Sequence, residues 1–441
     1  MTDAVVASRI QFAFTVMFHY LFPILTMGLA PLIVVLKTRH LLTGDETAAA
    51  AARLWTRLFA VNFAVGVVTG IPMEFQFGTN WAAFSSFAGG VVGQTLALEG
   101  VFAFFLESSF LGILLFAEGR VSPRLHWLSS VLVAAGALLS GYFITATNAW
   151  MQHPVGYRIV RGSVQLESLG ALLGNPFAWW QYAHVINGAI LTAAIVMASI
   201  GAYYLLAGRH QAVGRLSVAL GVVVGAVFAV TQAFPTGDFD SRNVLAYQPI
   251  KLATMEGLFE TQYGAPLAII GMPDTVRRTL LDPVLVPEAL SFLAYGNFRA
   301  EVQGLNAYPE HLWPPVQITY YAYHIMVGLG TIFIAVFLLG VLLWWRRALF
   351  TTRWYLWVLM LLLPFPYIAN EAGWVVTEVG RQPWIVYGLL RTAAGSSPTV
   401  VAGETIFTLL GFAGMYALIG LLALFLAIRI IAEGPGPAGG T

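Results

Sequence analysis

Apolar residues in this chain fall in long unbroken runs, not in short alternating or amphipathic stretches. Nine runs are long enough for an α-helix, rising about 1.5 Å per residue, to cross a hydrocarbon core of about 30 Å. They lie at 8–37, 54–76, 94–117, 126–150, 179–207, 216–234, 318–345, 354–379 and 404–431. None alternates with the period of two that a barrel strand needs, and no direct or inverted repeat is visible. The predicted fold class is an all-α integral membrane protein with nine transmembrane helices. One long interruption, 235–317, separates the sixth and seventh helices. It holds nine of the 21 prolines and no run able to span, while scattered Leu, Phe and Tyr predict a folded extramembrane loop. The chain thus divides into helices 1–6 (1–234), the loop (235–317), helices 7–9 (318–431) and a tail, 432–441, expected to be disordered.

Composition agrees: 58% of the 441 residues are hydrophobic and 10% charged, which excludes an ordinary soluble globule. A net charge of +1 provides no basic field for nucleic acid. With no cysteine, disulfides, iron–sulfur clusters, thiolate metal sites and covalent C-x-x-C-H haem attachment are ruled out. Any metal must be held by His, Met or carboxylate. The start, "MTDAVVASRIQF", lacks the basic stretch and cleavage site of a signal peptide and is expected to be retained. Lys and Arg fix the expected orientation. With the N-terminus outside, inner segments carry twelve of them and short outer segments five. The positive-inside rule then puts the C-terminus in the cytoplasm and the 235–317 loop outside.

Polar groups inside the runs carry the candidate chemistry, because an ionisable side chain at bilayer depth costs a few kcal/mol or more unless it faces a partner, a cofactor or water. His19 precedes Pro23, which cannot donate to the carbonyl of residue 19. A structural interhelical hydrogen bond explains His19 taken alone about as well as ligation does. His184 has small neighbours Ala183, Gly188 and Ala189, which either make room for a flat cofactor or let helices approach. Met326 alone reads as core filler, yet a His/Met pair on two helices is able to hold a six-coordinate haem iron. Glu99 and Glu107 are separated by about 80° and about 12 Å on an ideal helix, with Ser108 and Ser109 beside the deeper one. That suits a proton relay; a pair of protonated structural carboxyls is the bland reading. Glu371 and Glu378 lie within about 20° of one face, about 10 Å apart, after Pro364 and Pro366. Arg381 offers Glu378 a cation, but Glu371 has none nearby in sequence.

Six blocks in order, "SRIQFAFTVMFHYLFPILTMG", "NFAVGVVTGIPMEFQFGTNW", "LALEGVFAFFLESSFLG", "NAWMQHPVGY", "KLATMEGLFETQ" and "NEAGWVVTEVGRQPW", resemble subunit I of cytochrome bd-type quinol oxidases over nearly the whole chain. The resemblance implies that His184 and Met326 are axial ligands of a low-spin haem b beside the quinol site. It implies that His19 and Glu371 serve a high-spin haem b and a haem d, without saying which holds which. A third haem b in place of haem d stays open. It further places Glu99 near that pair, Glu107 with Ser108 and Ser140 on a cytoplasmic proton route, Lys251 and Glu256 at quinol oxidation, and Trp374 and Arg381 in the cofactor surroundings. The implied activity is oxidation of quinol on the outer face and reduction of dioxygen to water with cytoplasmic protons, electrogenic without pumping. The implied setting is the plasma membrane of a bacterium or archaeon. A second multispanning subunit, subunit II, is the implied partner, with small single-helix subunits as an optional addition.

Two features depart from many relatives. The loop lacks a long insertion, and His324 stands two residues before Met326, where an arginine is common. His324 is therefore expected among the cofactor-binding residues, donating a hydrogen bond to the low-spin haem propionates while charged only part of the time, or ligating in place of Met326 although the two point about 160° apart. From another class, a proton-coupled transporter also has many helices with buried His and Glu. The missing inverted repeat argues against it, and haem absorption bands separate the two.

Overall fold

Nine helices long and apolar enough to cross a membrane are found among residues 3–436, which the computed structural model describes. They are α1 (Asp3–Thr43), α2 (Glu46–Thr79), α3 (Ala82–Phe116), α4 (Pro123–Gln152), α5 (Pro176–Leu206), α6 (Gln211–Tyr247), α7 (Val316–Trp345), α8 (Arg353–Val379) and α9 (Ala402–Glu433). Their starts follow local chemistry. Asp45 caps α2 by accepting from the Thr47 and Ala48 amides, and Ser122 and Asn175 cap α4 and α5 ahead of Pro123 and Pro176.

Several limits differ from the hydropathy reading. α3 begins at Ala82, twelve residues before the expected start, because the small and polar stretch ahead of its apolar core is helical too. α6 breaks where the hydropathy run ends: a kink at Gln232–Gly237 separates it from a helical continuation, Asp238–Tyr247. Phe234, pushed out of helical geometry by the ring of Pro235, takes φ −144° and ψ 121° there. α8 is interrupted after Leu361 and resumes at Phe365, around Pro364 and Pro366. α9 continues to Glu433, so the first residues of the expected tail are helical, and 437–441 lie outside the described residues.

α5 is the most enclosed span and α9 the most peripheral. Small residues let the neighbours of α5 close on it: a Cβ added at Gly28 of α1 would sit 1.9 Å from the Ala189 carbonyl oxygen, and one at Gly221 of α6 would sit 2.6 Å from that of Ala194. Between α6 and α7, the chain forms short helices (Pro249–Glu256, Ala289–Tyr295) and antiparallel pairs, the longest being 267–274 with 279–286, registered Leu267 to Val286 and Asp274 to Thr279. The 30 residues of α7 make it about 45 Å long, more than the hydrocarbon core requires. Its first turns therefore stand beside that hairpin, where Gln317 Nε2 donates to the Pro273 carbonyl.

The α1–α5 crossing is expected to depend on the bare backbone at Gly28. Gly28→Val should destabilise the protein by roughly 1–3 kcal/mol or prevent its assembly, read as a lower melting temperature and a poorer monodisperse yield in detergent.

Candidate functional site

Glu371 lies on α8, just beyond its proline break, and both of its carboxylate oxygens are buried without a hydrogen-bond partner among the described residues. It borders a cavity of about 500 Å³ formed with Met17 and Leu21 of α1 and Ile318 and Ile325 of α7. One turn on, the Trp374 ring meets Tyr20 of α1 edge to face at 5.4 Å. An acceptor-only carboxylate facing an apolar space needs a cation or a proton to remain there. No protein group supplies a hydrogen bond. A bound metal centre would fit both the volume and the missing partner.

His19 faces elsewhere. Met17 and Leu21 line the Glu371 cavity, and His19, two residues from each, projects from the opposite side of α1. Its Nδ1 lies 3.1 Å from the Thr69 hydroxyl of α2, and the bare backbone of Gly70 passes the ring. The two expected ligands therefore lie on opposite sides of α1, Glu371 reaching toward it from α8.

His184 of α5 sits against the Gln232–Gly237 kink of α6. The Gln232 side-chain amide lies 3.0 Å from its Nε2, and the Thr236 hydroxyl lies 3.4 Å from its Nδ1. Met326 of α7 packs on α8, where a Cβ at Gly373 would be 3.0 Å from its sulfur. Three residues earlier on α8, Asn370 abuts Gly188, one turn from His184. The Asn370–Gly373 face of α8 thus meets both helices that carry the expected His/Met pair. His324 does not turn toward this face. Its ring nitrogens lie 2.9 Å from the Tyr320 carbonyl oxygen and 3.1 Å from that of Ala268 in the loop hairpin, and Tyr320 stacks on it at 3.9 Å. It joins α7 to the loop.

Glu99 opens a π-type turn, Glu99–Phe104, within α3 and accepts from the Ser140 hydroxyl at 2.7 Å. Glu107 lies beyond that turn with Oε1 buried and unpartnered, pressed against α4 where Gly136 makes room. Ser140 therefore serves Glu99, while the Ser108 hydroxyl donates to the Phe104 carbonyl of its own helix. Leu111, Leu114 and Val133 pack tightly beyond Glu107.

Lys251 and Glu256 share the short helix Pro249–Glu256 but point about 140° apart. Lys251 Nζ donates to Gln152 Oε1 at 2.9 Å and to the Thr377 carbonyl of α8 at 3.2 Å. Burial pushes this amine down to about 7, helped by the Arg381 guanidinium and opposed by Glu378 and Asp240. Glu256, pushed up to about 7 by burial and opposed by the Tyr323 hydroxyl, borders a second cavity of about 220 Å³ against the loop hairpin. Gln152 is the hub of this region. Its amide nitrogen donates to Asn148 Oδ1 and the Thr377 carbonyl, and its oxygen accepts from Lys251 and Gln248. Asn148 in turn donates to Glu378, which pairs with the buried Arg381 guanidinium. Sequence reasoning gives Asn148 and Gln152 no role because neither is ionisable, although both stand in the block "NAWMQHPVGY" as a pair of amides four residues apart.

Half-buried imidazoles and an unpartnered carboxylate inside a cysteine-free bundle of membrane-spanning helices suit a membrane protein that carries a metal cofactor. The chain belongs to the family of cytochrome bd terminal oxidase subunit I, whose model matches residues 7–435. It is similar to cytochrome bd ubiquinol oxidase subunit 1 of Bacillus subtilis (strain 168), with 39% identity over 97% of this chain and 94% of that one. It is also similar to cytochrome bd-II ubiquinol oxidase subunit 1 of Escherichia coli (strain K12), with 31% identity over 99% and 98%. Its fold matches the structure of bd oxidase from Geobacillus thermodenitrificans at a TM-score of 0.91, with 32% identity over 98% of this chain and 99% of that one. The protein is a membrane-embedded quinol oxidase subunit of a bacterial respiratory family.

The Glu378–Arg381 pair yields a direct check. Glu378→Ala leaves the buried guanidinium with little more than the Trp384 carbonyl. It should lower stability by roughly 3 kcal/mol, seen as a fall in melting temperature that Glu378→Asp partly restores.

Proposed function

We propose that this chain is the haem-bearing catalytic subunit of its oxidase, with His184 and Met326 holding a low-spin haem b, and His19 and Glu371 holding a high-spin haem b and a haem d or third haem b. The observation that carries the reading is the Glu371 carboxylate, buried on both oxygens without a partner beside a roomy apolar cavity. When bound, haems supply the electron transfer and the four-electron reduction of dioxygen to water. The protein's own residues supply ligands, spacing and proton access. Glu256, with its free oxygen at the edge of the loop cavity, accepts a proton from quinol on the outer side. Lys251 is held by Gln152 and the Thr377 carbonyl at the outer end of α8, the helix that carries Glu371. Glu107 and Glu99, with Ser140, hold protons arriving from the cytoplasm. Quinol protons leave on one side and dioxygen's protons enter from the other, so charge separates without a pump. This reading has the N-terminus outside, the C-terminus in the cytoplasm and a second multispanning subunit as partner, with small single-helix subunits as an optional addition.

Reduced-minus-oxidised absorption spectra of the purified oxidase test the ligand set. His184→Ala should remove the low-spin haem signal and spare the others, Glu371→Ala should remove one high-spin signal, and pyridine haemochrome analysis should separate haem d from haem b. Unchanged spectra would take the altered residue out of the scheme. Quinol oxidation should also depend on pH with a defined sign. Below about 7 the Glu256 carboxyl is protonated and unable to accept, so kcat/KM for quinol should rise as pH climbs through that value. Glu256→Gln should flatten most of this limb in steady-state oxygen-uptake profiles. The slope that remains belongs to Lys251, whose amine loses its proton in the same range.

A further inference from the structure

We propose that Thr69 is the positioning residue of His19: its hydroxyl accepts the imidazole Nδ1–H, fixes the tautomer that leaves Nε2 free, and so sets how strongly His19 donates to iron. The inference rests on the reading of His19 as a haem ligand given above.

The hydroxyl proton of Thr69 is already used within α2. Oγ1 lies 2.8 Å from the Val65 carbonyl oxygen and 3.1 Å from that of Gly66, so a backbone acceptor takes its single proton. It then meets His19 Nδ1, 3.1 Å away, with a lone pair, and Nδ1 must carry the hydrogen. Thr69 is fully buried, and its own carbonyl accepts from the Tyr416 hydroxyl of α9 at 2.7 Å. The Tyr416 ring stacks on Phe18, the neighbour of His19, at 4.8 Å. The acceptor is thus clamped to α2 and α9 on one side and to α1 on the other. Gly66 and Gly70 flank it; a Cβ at Gly70 would come 3.1 Å from His19 Cε1, so only bare backbone lets the hydroxyl reach the ring. A hydrogen bond on the second ring nitrogen orients a metal-bound histidine and raises its basicity. The Gly66 carbonyl also faces the ring and is the competing acceptor.

Resonance Raman spectra of the fully reduced, oxygen-free oxidase, purified with its companion subunit, read this bond through the iron–histidine stretching band. Thr69→Val, isosteric but unable to accept, should shift that band to lower frequency. It should also raise the midpoint potential of the same haem, since a weaker donor stabilises ferric iron less. Thr69→Ser should restore both, and the low-spin haem bands should not move in any variant. If Thr69→Val fails to assemble, Thr69→Ala makes the same test and should show the same shift. A band that His19→Ala abolishes but that neither Thr69→Val nor Thr69→Ala moves would overturn the inference, leaving the hydroxyl as a tie between helices and Gly66 as the acceptor. A band that survives His19→Ala would instead overturn the ligand assignment on which it rests.

Discussion

A carboxylate with no hydrogen-bond donor among the described residues, facing a mostly apolar cavity, is the constraint to which the rest of this bundle is arranged. Removing an ionised carboxylate from water costs several kcal/mol even after the protein relaxes, and Glu371 recovers none of it from its neighbours. The proline break in α8 puts Glu371 at the cavity's edge, where Met17, Leu21, Ile318 and Ile325 make the lining mostly apolar and Tyr321 and Tyr367 complete it without hydrogen-bonding the carboxylate. Among the described residues no side chain satisfies the carboxylate, which leaves room beside it for a partner from outside this chain.

α8 also connects this apolar region to the polar one above it. Six residues past Glu371, about 9 Å along the axis, the Thr377 carbonyl accepts from both Gln152 and Lys251, and one residue further Glu378 meets Asn148 and Arg381. One rigid helix therefore carries a cavity-facing carboxylate at one end and anchors the loop's lysine at the other. The loop is secured a second time by His324, whose ring reaches the Ala268 carbonyl because α7 is longer than a bilayer requires. Oversized helices are how this fold brings extramembrane residues to intramembrane groups.

Close approach of helices does the remaining positioning. Gly28 against Ala189, Gly136 against Glu107 and Gly373 against Met326 each replace a side chain with backbone contact, so groups on different helices meet at fixed depth. The π-type turn Glu99–Phe104 works in the same direction by rotating α3 beyond it and re-aiming Glu107, and the kink at Gln232–Gly237 redirects the chain toward the loop.

The nine spans and the position of the large loop were legible in the sequence, because backbone in lipid must satisfy itself and leaves long apolar runs as its mark. The exceptional residues were legible for the same reason: His19, His184, Glu107 and Glu371 stand out where lipid tolerates few ionisable groups. Span limits at 82, 247 and 433 were not, since small and polar residues at the membrane surface are helical or not according to what they pack against. Nor was the partition of the groups. That His19 faces Thr69 and not the Glu371 cavity, that Ser140 serves Glu99, and that Lys251 reaches Gln152 and the Thr377 carbonyl all depend on how the helices are rotated and packed. Residue order alone dictates which polar groups enter the membrane. Which of them meet is left to tertiary packing, because an apolar environment penalises every unpaired group alike and only the geometry of the helices selects the pair.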